Sequence, residues 1–226
     1  MKQVVTIFLI IHIITGFLAL TTGFISMLNR KGGKQHRLTG KLFFAGMTGV
    51  FISATIISII KGLAFLFMVG FFSYYLTCSG YRSLYLKKLH LGQKPALLDW
   101  FISVTGGVAG AGLILFSATW FRDRGAWGTV PLVFGIFCLL SGIKDIKSFF
   151  VVPANKQHWL FTHGVRMGGG FAATLTAFIV VNVSIGSLTW ILWILPGALT
   201  GIWISRIMRK YKKDPNKVVP APARQA

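Results

Sequence analysis

Seven apolar stretches make up most of this 226-residue chain, and its basic residues are concentrated in every second gap between them. The stretches are Val4–Leu28, Leu38–Ile60, Leu63–Leu86, Trp100–Trp120, Thr129–Val151, Trp159–Val183 and Ser187–Met208. At about 1.5 Å per helical residue, each is long enough to cross a hydrocarbon layer of roughly 30 Å. The pattern predicts an all-α, polytopic membrane protein with a bundle of seven transmembrane helices.

The distribution of lysine and arginine predicts the orientation of this bundle. Most of the 24 basic residues follow helix 1, follow helix 3, lie between helices 5 and 6, or follow helix 7, whereas the opposite side has Lys2, Lys61, Arg122 and Arg124. Because positive charge resists translocation, the basic side is expected to be cytoplasmic, with the N-terminus outside and the C-terminus inside. Residues 1–208 then form the transmembrane domain, and residues 209–226 a basic, proline-containing cytoplasmic tail.

The net charge of +20 also restricts the partners that the chain can have. A nucleic-acid interface concentrates basic residues on one surface, often with aromatic residues for stacking, but here the charge is spread over loops that flank apolar helices. We therefore expect anionic membrane lipids, and no nucleic acid, as partners of the basic loops and tail.

A short motif recurs at the starts of two predicted helices. Lys34, Gln35 and His36 open helix 2, and the same three residue types open helix 6 at 156–158. Both helices are expected to run from inside to outside, so the motif predicts a parallel internal repeat that relates helices 1–3 to helices 5–7. Two basic loops that arose independently are the alternative explanation.

Pairs of glycines four residues apart lie in helices 4, 6 and 7. They are Gly106 with Gly110, Gly164 with Gly168, and Gly197 with Gly201. Small residues at this spacing allow helix backbones to approach closely in a membrane. These helices are therefore expected either inside the bundle or at a contact with a second copy or another membrane protein.

Polar residues within the predicted helices are the candidates for function, because each is costly in a membrane unless it is paired or solvated. On the cytoplasmic side they include Lys41, Lys144, Asp145, His163 and Arg166. One carboxylate cannot neutralise all these cations, so we predict a basic pocket between helices 2, 5 and 6 that binds an anionic amphiphile or small anion. Arg166 and Lys144 would contact the acidic group, Asp145 would orient one of them, and His163 would donate a hydrogen bond or ligate.

Snorkelling is the alternative for the basic residues of this group. Long lysine and arginine side chains near a helix end can extend to the membrane interface and bind no ligand. It is the simpler explanation for Lys41 and for Lys147, which lies three residues after Lys144 on helix 5.

The histidines raise the question of haem. His12 and His163 differ by roughly 12 Å in predicted height, too far for both to ligate one iron. His36 and His163 lie closer in height and are candidate ligands of a single haem b on the inner side. For His12 we expect a hydrogen bond to a neighbouring helix.

The sequence gives little support to other chemistry. It has no pair of intramembrane carboxylates for acid–base catalysis, no nucleophile motif and no metal-ligand spacing, and predicted helix 7 has no lysine for a retinal Schiff base. Three hypotheses follow: a protein that binds an anionic amphiphile, which we favour over an enzyme; a b-type haem or quinone redox protein; and a structural or assembly subunit of a membrane complex.

Several motifs resemble those of a known family. They are His12 with Gly16, Ala19 and Gly23, then Arg30-Lys31-Gly32, His36-Arg37-Leu38-Thr39-Gly40-Lys41 and His163-Gly164-Val165-Arg166-Met167. The chain resembles the bacterial membrane proteins grouped as domain of unknown function 2306, and especially those of Bacteroidetes. The resemblance implies an integral helical bundle in the bacterial cytoplasmic membrane, draws attention to His12, His36, Arg37, His163 and Arg166, and assigns no reaction.

Overall fold

A computed structural model describes residues 1–213. The predicted tail, residues 209–226, begins within the last helix, and its part after residue 213 lies outside the described residues. The described residues are helical, with short connections and no strand among them. The helices are α1 (Lys2–Leu28), α2 (Lys34–Lys61), α3 (Ala64–Arg82), α4 (Leu97–Arg124), α5 (Thr129–Phe150), α6 (His158–Asn182) and α7 (Thr189–Lys213). The all-α prediction is confirmed.

Six helical stretches of the described chain are long and apolar enough to cross a membrane. One of them, Leu97–Phe150, contains α4, the 3-10 turn Gly125–Gly128 and α5. Within it α4 and α5 pack closely against each other. A Cβ added at Gly110 would lie only 2.5 Å from the backbone nitrogen of Leu139. Length and composition therefore support a membrane protein.

The outer surface of the bundle is apolar. Ile13, Phe101 and Leu115 are 57%, 67% and 76% exposed, respectively. A soluble monomer rarely exposes contiguous apolar patches beyond a few hundred Å², whereas hydrocarbon is a favourable environment for such a surface.

The helix ends differ by a few residues from the predicted segments. Helix α2 begins at Lys34, four residues before the predicted Leu38, and α3 ends at Arg82 before a 3-10 turn rather than at Leu86. Helix α2 ends at Lys61, and the following Gly62 has φ +64°, a left-handed conformation suited to glycine. The first turn of α2 contains polar residues that a search for apolar runs leaves out.

Helix α3 is the centre of the bundle and packs against α2, α4, α5 and α6. One core cluster joins α3 to α4 and α5 through Tyr75, Leu76, Leu113 and Cys138. A second cluster joins α1, α2 and α6 and contains Ala19, Phe43, Met47 and Phe171.

The helix contacts do not confirm the predicted internal repeat. Helix α1 packs along α2, whereas α5, the predicted counterpart of α1, packs mainly against α4. The shared motif at the starts of α2 and α6 therefore stays a prediction of duplication.

Candidate functional site: a basic cavity with a histidine pair

A cavity of about 350 Å³ lies at one end of the bundle. It is bordered by the C-terminal ends of α1, α3 and α7 and by the N-terminal ends of α2 and α6. Its walls are mainly apolar and include Phe43, Met167, Phe171, Ile204, Ile207 and Met208. The volume lies within the range of about 300–1,000 Å³ that is usual for small-molecule sites.

Cations surround this cavity. They are Lys31, Arg37, Lys41 and Lys87, and no aspartate or glutamate is among the described residues that line it. Arg37 and Lys41 are exposed, so their charged groups reach solvent or headgroups while their stems border the cavity. An anion at this end of the cavity would therefore meet only positive side-chain charge.

Lys31 is the most enclosed of these cations. Its Nζ donates hydrogen bonds to the carbonyl oxygens of Met27, at 2.6 Å, and Ser26, at 3.2 Å. Both carbonyls belong to the last turn of α1, where the partial negative charge of a helix end favours a cation. Burial lowers the pKa of Lys31 from its ordinary value.

Two histidines line the same cavity. The rings of His36, on α2, and His163, on α6, have centroids 6.3 Å apart, and their planes are nearly perpendicular at 81°. Both side chains are partly buried. The sequence predicted only similar heights for these two residues, and the structure adds that their rings are neighbours.

Hydrogen bonds orient both rings. The Nδ1 of His163 lies 2.9 Å from the carbonyl oxygen of Gly80, and since a carbonyl oxygen only accepts, this Nδ1 is the donor and the neutral ring has its lone pair on Nε2. The Nδ1 of His36 lies 3.0 Å from both the carbonyl oxygen and the hydroxyl oxygen of Ser26, so it can donate to the carbonyl or accept from the hydroxyl. Among the described residues, no hydrogen bond uses either Nε2.

Gly80 is what brings the backbone of α3 close enough for this bond. A Cβ at this position would lie 2.9 Å from the Cβ of Arg166 and from the nitrogen of Met167. Any larger residue would push α6 away from α3, and with it His163.

Arg166 does not line the cavity, and its predicted role as an anion contact is corrected. It is 3% exposed, and its guanidinium donates to Asp145, at 2.9 Å, to the carbonyl of Ser141, at 2.8 Å, and to the hydroxyl of Tyr75. Tyr75 in turn donates to Asp145 at 2.7 Å. Asp145 therefore pairs with Arg166, one of the two cations that it was predicted to orient, and the closed network leaves Arg166 no direction in which to reach a ligand.

The predicted location between helices 2, 5 and 6 is corrected for the same reason. Lys144 and Lys147, on α5, are exposed and do not line the cavity, which agrees with the snorkelling alternative. Of the predicted ligand-binding residues, Lys41 and His163 border the cavity, whereas Lys144, Asp145 and Arg166 do not. Helices α1, α3 and α7 supply the walls that the prediction assigned to helix 5.

His12 lies away from this cavity, on α1. Its Nδ1 is 3.1 Å from the hydroxyl oxygen of Ser53 on α2. The expected hydrogen bond to a neighbouring helix is confirmed.

A second ion pair ties α3 to the start of α4. The Nε and Nη2 atoms of Arg82 donate to the two carboxylate oxygens of Asp99, at 2.7 and 3.0 Å. Asp99 also accepts from the backbone nitrogen of Ala96 at 2.8 Å, so it caps α4.

The glycine pairs fall into two groups. Gly106 and Gly110 pack closely against Tyr75 and the backbone of α5, and Gly164 and Gly168 against side chains of α7. Gly197 and Gly201 are exposed and would meet nothing within 4 Å. The first two pairs lie inside the bundle, which is one of the two locations predicted for them. The third pair faces outward.

Sequence reasoning missed Ser26, Lys31, Tyr75 and Lys87 as site residues. Lys31 and Lys87 lie in loops, and Ser26 and Tyr75 are common residue types in membrane helices. A signal for Tyr75 existed, because a buried carboxylate such as Asp145 needs donors at its own depth.

Among the described residues, no group of three or more histidine, cysteine, aspartate or glutamate side chains is placed to hold a metal ion. In comparisons with known proteins, no protein-family model, no curated protein and no solved structure matched the chain.

Proposed function

We propose that this chain is a multi-pass membrane protein that binds an anionic amphiphile in the cavity at the basic end of the bundle. The observation that carries the proposal is the combination of an apolar cavity with a border of cations and no acidic side chain among its described lining residues. An acyl chain or other apolar body would lie against the walls, and its acidic group would lie between Arg37 and Lys41.

The proposed topology counts α4 and α5 as separate spans, giving seven in all. The cavity is bordered by the helix ends that the charge pattern assigns to the cytoplasm. The N-terminus is then outside, the C-terminus inside, and the protein lies in the bacterial cytoplasmic membrane, as the resemblance to domain of unknown function 2306 implies.

Reporter fusions test this topology. Alkaline phosphatase joined after Gly128 should be active, and green fluorescent protein joined after residue 155 should fluoresce. A six-span arrangement, in which Leu97–Phe150 crosses only once, would not place these two points on opposite sides with the N-terminus outside and would overturn the count.

Native mass spectrometry of the full-length chain, purified in mild detergent, tests ligand binding. We expect a retained anionic amphiphile in the natural chain and its loss in Arg37→Ala/Lys41→Ala. At about 1 kcal/mol per basic residue, the double substitution should weaken binding roughly 30-fold.

Lys144→Ala/Lys147→Ala is the matched control, because it also removes two basic residues near the same membrane surface but none from the cavity. Equal loss in both variants would mean a general surface charge effect and would refute the site. Retention in the Arg37 and Lys41 variant would refute it as well.

A redox protein is the second candidate, because no hydrogen bond among the described residues uses the Nε2 of either cavity histidine. A structural or assembly role stays a prediction, and the outward-facing Gly197 and Gly201 are where a second copy or a partner helix would approach most closely.

A further inference from the structure

We propose that His36 and His163 are the two axial ligands of one haem b bound in the cavity. This inference rests on the proposed function, because haem is itself an anionic amphiphile, with an apolar macrocycle and two propionates. It names the ligand class and gives the histidines a role that other amphiphiles would not need.

The spacing of the rings fits two ligands on opposite sides of one metal. A metal–nitrogen bond of about 2.0 Å, with roughly 1.1 Å from that nitrogen to the ring centre, places two opposed imidazoles about 6.2 Å apart, centre to centre. The rings of His36 and His163 are 6.3 Å apart. The distance between the ring centres is therefore the distance that a shared iron would require.

The hydrogen bonds orient the rings as metal ligands are usually oriented. A ligating histidine commonly donates its other N–H to a carbonyl or carboxylate, which fixes the tautomer and the ring direction. His163 donates Nδ1–H to the carbonyl of Gly80, and the Nδ1 of His36 lies 3.0 Å from the carbonyl and the hydroxyl of Ser26. In the tautomer in which His36 also donates Nδ1–H to the carbonyl, both rings are oriented through Nδ1 and have the lone pair on Nε2.

The number of ligands favours haem over a free metal ion. A structural zinc site takes four protein ligands and a catalytic one three, whereas the described part of the chain offers no group of three. Haem brings four nitrogen ligands of its own and requires only the axial positions from the protein. Two histidines therefore suffice for haem.

The rest of the cavity suits the macrocycle. Phe43, Met167 and Phe171 supply apolar wall, and Arg37 and Lys41 offer positive charge to two propionates. Among the described residues, no hydrogen bond uses the Nε2 of either ring, so each Nε2 can bind iron.

The experiment is a reduced-minus-oxidised absorption spectrum of the full-length chain, purified in mild detergent from cells supplied with a haem precursor. We expect about one haem per chain and the sharp bands of a low-spin iron with two imidazole ligands. His36→Ala and His163→Ala should lose the low-spin spectrum, whereas His12→Ala and His90→Ala should keep it.

Chemical rescue guards against misfolding of the variants. In His36→Gly, addition of free imidazole should restore the low-spin spectrum, which a merely structural role would not allow. Electron paramagnetic resonance of the natural chain adds a readout without mutation, and a low-spin ferric signal is expected.

Each alternative outcome is decisive. A colourless protein that binds no added haemin overturns the inference, and it leaves the proposed function standing if an anionic lipid is retained and is lost in Arg37→Ala/Lys41→Ala. If no amphiphile of any kind binds, both fail. Haem that is still low-spin in both His36→Ala and His163→Ala overturns the ligand assignment.

Discussion

Replacement of Asp145 by alanine would leave the guanidinium of Arg166 as an unpaired charge inside the bundle. Arg166 is 3% exposed and Asp145 is 8% exposed, so water cannot readily replace the carboxylate. Two neutral acceptors, the hydroxyl of Tyr75 and the carbonyl of Ser141, would remain. Neither carries the negative charge that compensates the guanidinium.

Removal of one partner of a buried ion pair costs about 3–5 kcal/mol, and we expect a loss in this range for Asp145→Ala. Replacement of the whole network by apolar residues should be far milder, because no charge is left behind. The triple variant Asp145→Leu, Arg166→Met, Tyr75→Phe should therefore be more stable than Asp145→Ala alone.

The free energy of unfolding can be measured in mixed detergent micelles with a denaturing detergent as the perturbant. Arg122→Ala is the control, since the Arg122–Asp123 pair is exposed, with side chains 79% and 53% accessible. We expect a change of about 0–1 kcal/mol for this exposed pair.

Two results would refute the reasoning. A loss below about 1 kcal/mol for Asp145→Ala would mean that the network contributes no more than a surface ion pair. A triple variant that is less stable than Asp145→Ala would mean that the polar contacts themselves, and not the unpaired charge, dominate.

Three further predictions concern other parts of the bundle. Gly110→Val should destabilise the protein by about 1–3 kcal/mol, because a Cβ there meets the backbone of α5; Gly107→Val, where nothing lies within 4 Å, should be much milder in thermal unfolding. His12→Leu should cost about 1 kcal/mol through the loss of its bond to Ser53, and an unchanged melting temperature would contradict this. Burial lowers the pKa of Lys31 from its ordinary value of 10.5. An alkyl sulfonate, whose own charge does not change with pH, should therefore bind more weakly as pH rises through that lowered pKa and Lys31 loses its charge. In a binding titration, Lys31→Met should remove this pH dependence.

Much of the helical arrangement could be predicted from the sequence, because apolar length and loop charge are local properties. The height of a residue along a helix follows in the same way, which is why His36 and His163 were expected at similar heights and His12 at a different one. The ends of the helices were predicted less exactly. Residues 34–37 are polar, so the predicted segment omitted them, yet they form the first turn of α2.

The direction in which a side chain points could not be predicted so well. Lys144 and Asp145 are neighbours in sequence, yet Asp145 turns inward to Arg166 and Lys144 turns outward. Successive residues of a helix point about 100° apart. An error of one residue in locating the buried face is therefore enough to place an outward-facing side chain inside the bundle. Which helices surround the cavity depends on tertiary packing, and this is why α1, α3 and α7 were missing from the predicted pocket.

The turn Gly125–Gly128 has a consequence for how the protein is made. Only four residues join α4 to α5, so the two helices can form their close glycine contacts as soon as both have been synthesised. Asp145 is synthesised 21 residues before Arg166, so its carboxylate has no guanidinium partner until α6 has been made. Closure of this ion pair therefore follows the pairing of α4 with α5 in the order of synthesis.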